Sequence, residues 1–310
     1  MKKLIAMLSV VALTATLTGC GTTGNGDDAA LTGEIIVYTR DSSSGTREAF
    51  EKAGDFKGEM TSKVVEVSSN GDMATKVGKD KFGIGYVSLS TDFAANGITA
   101  LKFEGVEPTK ETVLNGTYKM QRPFSFVTRA AGDFGSTEKE QLITAFLDYL
   151  QNSTEGLQIV EKAGGVVDVS KGTPWAELKK NHPIVDQDNA SITIRTAGST
   201  SVDKTLKAAL EAFQAEAGQF QISMNQSGSG DGYTRVLGGE KDGPNAADIG
   251  FASRGFSKEE DVSGAMASGQ YCIDAVVAVV NKENTSINDV TQAQIKSIFT
   301  GTVEKWEDVK

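Results

Sequence analysis

Two serine- and glycine-rich stretches hold the residue types in this sequence best suited to chemistry. Arg40-Asp41-Ser42-Ser43-Ser44-Gly45-Thr46-Arg47-Glu48 and Ala197-Gly198-Ser199-Thr200-Ser201 each run straight into an amphipathic helical pattern. The first N–H groups of a helix have no partner within it, and the helix dipole adds partial positive charge there. Such a loop therefore grips an oxyanion without any catalytic group. Two further segments point the same way: Ser227-Gly228-Ser229-Gly230-Asp231-Gly232, ahead of a short helical stretch through Tyr233 and Val236, and Ser253-Arg254, after a predicted strand. Glycine lets the backbone approach closely, and hydroxyls add donors beyond the N–H groups. The planar donor fork of arginine suits a tetrahedral oxyanion, so Arg40 and Arg254 are the charged candidates beside Ser44, Gly45, Thr46, Thr200, Ser201, Ser229 and Ser253.

Each piece has an ordinary alternative. A Ser-Gly loop before a helix is usually an N-cap or a turn, and an Arg beside Asp41 is commonly a surface ion pair. Four such segments together favour capture of an anion. An enzymatic reading rests on Ser201-Val202-Asp203-Lys204, which matches the Ser-x-x-Lys element of penicillin-recognising hydrolases. The companion Ser-Asp-Asn and Lys-Thr-Gly elements are missing, with only Lys171-Gly172-Thr173 present. A serine triad would need His182, the sole histidine, which precedes Pro183 in a polar connector. No metal-ligand spacing and no Walker-type loop is present, so no enzyme activity, metal or cofactor is expected.

The elements that must position these loops alternate in type. Strands are predicted at Ile35–Thr39, Val64–Val67, Ile84–Leu89, Ile192–Arg195, Gln221–Met224, Asp248–Phe251 and Ile273–Val280. Helices are predicted at Thr137–Gln151, with Leu142, Ile143, Phe146, Leu147 and Leu150 on one face, and at Thr154–Ala163. Thr137 and Glu140 have the spacing of a capping box. Another helix follows Ser201, with Val202, Leu206, Leu210 and Phe213 on one side. This alternation predicts an α/β fold.

Residues 1–19 read as an export signal: Lys2 and Lys3, then an uncharged and largely apolar run from Leu4 to Leu17. The run ends in Leu17-Thr18-Gly19-Cys20, which resembles a bacterial lipobox, so Cys20 is the expected lipidation site. A flexible Gly-, Thr- and Asp-rich tether follows over 20–33. The other cysteine, Cys272, borders an apolar run, and no disulfide is expected. Removing residues 1–19 takes away two positive charges and moves the formal net charge from −10 to −12. That acidity excludes a basic stripe for nucleic acid, yet local N–H dipoles and an arginine can hold an anion, because salt screens the distant field over ~8 Å.

The motifs Arg40-Asp41-Ser42-Ser43-Ser44-Gly45-Thr46, Ala197-Gly198-Ser199-Thr200-Ser201, Gly228-Ser229-Gly230, Asp248-Ile249-Gly250-Phe251-Ala252-Ser253-Arg254 and Ile298-Phe299-Thr300-Gly301 with Trp306 carry a resemblance. Together they resemble the phosphate-binding protein of the ABC phosphate importer, the PstS family, over nearly everything from Glu34 to Lys310. The resemblance implies a two-lobed, type II periplasmic-binding-protein fold closing on inorganic phosphate. It also implies a monomer outside the cytoplasm, anchored to the bacterial membrane through Cys20, that serves a membrane permease and its ATPase. By motif, Arg40, Ser44, Gly45 and Thr46 would bind from one lobe, and Thr200, Ser201, Ser229 and Ser253 from the other.

Two departures from the family pattern stand out. The order of the blocks differs, which reads as a circular permutation: Lys310 should end near Glu34, and His182–Ala190 should bridge the old termini. The lobes would then be 34–120 plus 278–310, and 121–277, with a hinge near Met120 and Ala278. The second departure is Ser253-Arg254, where some relatives place an Asp that accepts the proton of hydrogen phosphate. This leaves another tetrahedral oxyanion such as sulfate as an alternative ligand, with Asp231, Asp248 or Asp274 as candidate acceptors.

Overall fold

Residues 31–310 are described by the structure, a computed structural model. The export segment, Cys20 and most of the tether lie outside the described residues. Strand β1 (Ile36–Arg40) leads into α1 (Gly45–Ala53), followed by β2 (Val65–Val67), α2 (Asn70–Lys79) and β3 (Gly83–Ser88). Short pieces come next: α3 (Phe93–Asn96), β4 (Ile98–Ala100), β5 (Lys102–Phe103) and α4 (Lys110–Leu114). The middle of the chain holds β6 (Gln121–Thr128), α5 (Thr137–Asn152), α6 (Thr154–Lys162), α7 (Trp175–Leu178), β7 (Thr193–Gly198) and α8 (Asp203–Glu216). It continues with β8 (Gln221–Gln226), α9 (Ser229–Thr234) and β9 (Ile249–Ala252). Strands β10 (Ser268–Asn281) and β11 (Asp289–Val290) and helix α10 (Gln292–Phe299) complete the α/β fold.

Strand direction explains how distant loops meet. The main sheet runs β2-β1-β3-β10-β6-β9-β7-β8, with β4 also on β10. Strand β1 lies parallel to β2 and β3, and β7 lies parallel to β8 and β9. Parallel neighbours end on the same edge, and ligands gather outside the carboxyl ends of such strands. Arg40 ends β1, and Gly198, Gln226 and Ala252 end β7, β8 and β9, so each candidate loop leaves the sheet at a carboxyl end.

Two long antiparallel strands join these parallel groups. The first half of β10 pairs with β6 (Ser268↔Val127 through Ala275↔Gln121), and its second half pairs with β3 (Val276↔Ser88 through Val280↔Ile84). The apolar core divides at the same place. One cluster gathers Val37 to Met120 with Ala275 to Trp306, plus Val166; a second gathers residues between Phe124 and Cys272, with a small third cluster of Val127, Ala197, Val236 and Ala247 on the same side. The change of core on β10 falls between Cys272 and Ala275, slightly before the Ala278 read from the sequence.

Local chemistry corrects several expectations. Ser136, not Thr137, caps α5: its backbone is extended (φ −152°, ψ 156°) and its side chain accepts the Lys139 N–H. Thr137 is already helical, and Glu140 accepts the Gly132 N–H at 2.6 Å instead of completing a capping box. Strand β10 begins at Ser268, well before Ile273, because pairing with β6 carries the polar segment Ser268–Gln270 into the ladder. The His182–Ala190 segment is no loose connector. Ile184 and Val185 are buried, Asn189 Nδ2 donates to Ile184 O and Ala217 O, and His182 bonds Asp148 and stacks on Trp175.

The segment at Glu34 meets residues 304–306, a few positions before Lys310, whose carbonyl accepts from Gln294 Nε2 at 3.0 Å. Glu34 bridges Lys305, Ile35 N–H donates to Glu304 O at 2.8 Å, and Trp306 N–H donates to Gly33 O at 3.0 Å.

Candidate functional site

The candidate loops converge on one buried seam between the two cores. Arg40, Ser44, Thr46, Ser199, Thr200, Ser201, Ser229 and Ser253 are all buried. Arg40 Nη1 donates to Thr200 Oγ1 at 2.9 Å, and Thr46 Oγ1 lies 2.8 Å from Ser201 Oγ. Ser199 Oγ donates to Ser253 Oγ at 2.9 Å, and Ser229 Oγ accepts the Ser253 N–H at 3.0 Å. A hydroxyl is both donor and acceptor and turns to suit its partner. A network of hydroxyls can therefore aim its donors at an anion without moving backbone.

Each loop is shaped for this seam. Gly198, at the end of β7, has φ +127°, and a Cβ there would run into the Phe251 backbone, so only glycine lets β7 and β9 close up beneath Ser199 and Ser253. Gly45 begins α1 facing the second core, where a Cβ would meet Ser229 Oγ and Ser253 Oγ. Ser44 caps α1 by accepting the Arg47 N–H. Helix α8 has no side-chain cap, which leaves first-turn N–H groups near Thr200 and Ser201 for another acceptor.

Arg40 supplies the charge. Its backbone N–H donates to Tyr86 Oη at 3.0 Å, its Nη2 donates to Ser227 O and Asp41, and its Nε is buried with no hydrogen-bond partner among the described residues. A buried, unsatisfied guanidinium nitrogen costs free energy unless an acceptor reaches it, and an oxyanion is such an acceptor. Burial pushes the Tyr86 hydroxyl up to about 12, so it stays protonated across physiological pH. Burial also raises Asp41, but hydrogen bonds from Ser43 and the Arg40 charge outweigh it and leave the carboxyl below its ordinary value.

The remaining candidates are placed elsewhere. Arg254 turns its guanidinium away from the hydroxyls: Nη2 donates to Glu260 at 2.9 Å, and Nε contacts Glu48 at 2.9 Å. Hydrogen bonding to Glu260, against the effect of burial, raises its pKa further. Asp231 is taken by Ser227 and Arg235, and Asp248 by Arg195 N–H and Lys139. Asp274 is buried in a pair with Arg122, where burial pushes its carboxyl up against the pull of that guanidinium. None of the three carboxylates contacts the hydroxyl network. Lys204 Nζ donates to Ser90 O at 3.1 Å while Ser201 bonds Thr46, so the Ser-x-x-Lys spacing does not form a nucleophile–base pair.

Sequence reasoning missed Asn70 and Tyr86. The Asn70 N–H donates to Thr200 Oγ1 at 3.1 Å, its Oδ1 accepts the Ser88 N–H, and its Nδ2 donates to Thr91 Oγ1. Ser68-Ser69-Asn70-Gly71, between a strand and a helix, carried the same signal as the other loops.

Loops from two cores, set at the carboxyl ends of parallel strands and closing on one buried arginine, define an oxyanion-binding protein of the two-lobed type. The family described as the PBP superfamily domain matches residues 14–154 and 184–310. Phosphate-binding protein PstS 2 of Streptococcus agalactiae serotype V is 30% identical, covering 99% of this chain and 98% of that protein. PstS 2 of Streptococcus pneumoniae serotype 4 is 28% identical over 100% of this chain and 99% of its own. The crystal structure of a phosphate-binding protein of a phosphate ABC transporter from Streptococcus pneumoniae TIGR4 superposes with a TM-score of 0.63 at 27% identity, covering 90% of this chain and all of that one. The chain belongs to the PstS family of the PBP superfamily. Against the PstS 2 relatives it aligns end to end, so the order of its loops is theirs, and the expected circular permutation finds no support there.

Proposed function

We propose that this protein captures inorganic phosphate between its two lobes, 34–120 with 278–310 and 121–277, and passes it to the membrane permease of an ABC importer powered by an ATPase subunit. The observation that carries this reading is the convergence of buried hydroxyls from both cores on Arg40, whose Nε has no hydrogen-bond partner among the described residues. Ser44, Gly45 and Thr46 with Arg40 would bind from one lobe, and Thr200, Ser201, Ser229 and Ser253 from the other. Arg254 leaves the ligand set, because its guanidinium is held by Glu260 and Glu48. Lobe closure excludes water and strengthens each hydrogen bond in the low-dielectric seam. No bond is made or broken, so the protein is a carrier and not an enzyme.

The expected address is outside the cytoplasm, with Cys20 lipidated and the protein held monomeric at the membrane. Mass spectrometry of the membrane-extracted protein checks the anchor: a diacylglyceryl adduct on Cys20 supports it, and an unmodified N-terminus removes it.

Sulfate is the anion against which selectivity is tested, because Asp231, Asp248 and Asp274 are all engaged away from the hydroxyl network. Hydrogen phosphate offers a proton that needs an acceptor, whereas sulfate offers none. Calorimetric titration with phosphate, then phosphate in excess sulfate, tests both. Tight binding unaffected by sulfate supports phosphate capture, and failure to bind phosphate overturns it.

A further inference from the structure

Among the contacts that cross between the two cores, one joins full charges just outside the hydroxyl network. Arg254 directly follows Ser253, and Glu48 lies in the first turn of α1, whose start at Gly45 faces Ser229 and Ser253. Arg254 Nε stands 2.9 Å from Glu48 Oε2, a charge contact that is not aligned as a hydrogen bond. On its own side Arg254 is pinned: Nη2 donates to Glu260 Oε1 at 2.9 Å, and Glu260 Oε2 accepts the Ser257 N–H at 2.8 Å. Arg254 is mostly buried, while Glu48 is half exposed on the opposite wall. Both residues line a cleft of about 580 Å³ between the cores, walled also by Ala49, Lys52, Met120 and Pro123.

We propose that Glu48 and Arg254 are positioning residues forming an electrostatic latch, one that holds the lobes closed and slows release of the anion. The inference rests on the phosphate reading for its ligand but not for its geometry. An arginine already fixed by Glu260 loses little side-chain freedom on meeting Glu48, which reduces the usual entropic penalty of a surface ion pair to the ordering of Glu48. The contact exists only when the lobes are together, so its free energy enters the opening step. It therefore slows dissociation and leaves association almost untouched.

The test is stopped-flow release of phosphate from the full chain and from the Glu48→Gln, Arg254→Gln and doubly substituted forms, together with small-angle X-ray scattering of each without phosphate. Glu48→Gln should speed release roughly two- to fivefold, the range of a partly exposed ion pair. The double variant should release no faster than the faster-releasing single, and the wild-type advantage should shrink in ~1 M salt, where the screening length is about 3 Å. Unchanged release in Glu48→Gln, or additive effects of the two substitutions, would overturn the latch. If wild type binds no phosphate, the functional reading fails, and scattering decides the latch alone. A larger radius of gyration in Glu48→Gln than in wild type supports it, and identical radii overturn it.

Discussion

Arg40 reaches across the boundary between the cores, its Nη1 donating to Thr200 Oγ1 at 2.9 Å. Its position depends on Tyr86, whose hydroxyl accepts the Arg40 N–H, and its guanidinium brings a positive charge into the hydroxyl network. Replacing Arg40 with Ala should weaken phosphate binding by at least ~1.5–3 kcal/mol, the range of a charge-assisted hydrogen bond. Arg40→Lys should not restore it, because an ammonium lacks the planar fork. Calorimetry that finds either variant binding like wild type removes Arg40 from the site.

Gly45 separates closure from folding. A Cβ at this position would meet Ser229 Oγ and Ser253 Oγ of the opposite core, while alanine is otherwise the better helix former within α1. Gly45→Ala should therefore keep or slightly raise stability to urea while overpacking the seam by ~1–3 kcal/mol, about a tenfold loss of phosphate affinity per 1.4 kcal/mol. Equal affinity in the variant would mean that the lobes do not meet at Gly45 when the anion is bound.

The parts of this molecule that were legible in the sequence share one trait: local pattern and tertiary demand agree. Helix α5 keeps Leu142, Ile143, Phe146, Leu147 and Leu150 buried at the spacing read from the sequence. The Ser-Gly loops follow strands because their glycines permit close approach, as at Gly198. What stayed hidden was set by partners. Strand β6 contains Pro123, and α2 contains Gly71 and Gly78, so local propensity argued against both, and pairing with β10 and packing on β3 overrode it. Arg254 and Arg40 look alike in sequence. Only the placement of Glu260 and Glu48 shows that one guanidinium faces carboxylates outside the hydroxyl network, whereas the other donates to Thr200 Oγ1 within it.

Tyr86 links core packing to the site. Its ring stacks on Phe50 at 4.3 Å and neighbours Phe299, while its hydroxyl serves Thr39 and the Arg40 N–H. Tyr86→Phe keeps the ring packing and leaves the buried Arg40 N–H without its acceptor. The expected loss is ~1–3 kcal/mol of stability by urea denaturation, with weaker phosphate binding alongside it. Stability matching wild type would show that the backbone at Arg40 finds another acceptor.

Asp41 gives the site an acid limit. Its folded-state pKa is lowered, because the hydrogen bonds from Ser43 and the Arg40 charge outweigh burial. A carboxyl depressed in the folded state contributes its full stabilisation above its unfolded value, near ~4, and loses it as pH falls through the lower folded value. Protonation there frees the Ser43 N–H and removes the carboxylate partner of Arg40 Nη2. Asp41→Asn should thus be less stable than wild type at pH 7, with the difference closing as pH drops below ~4. Urea midpoints of both proteins, measured stepwise from pH 7 to the acid limit, check this. A gap that stays constant with pH would mean that Asp41 acts through its shape and not through its charge.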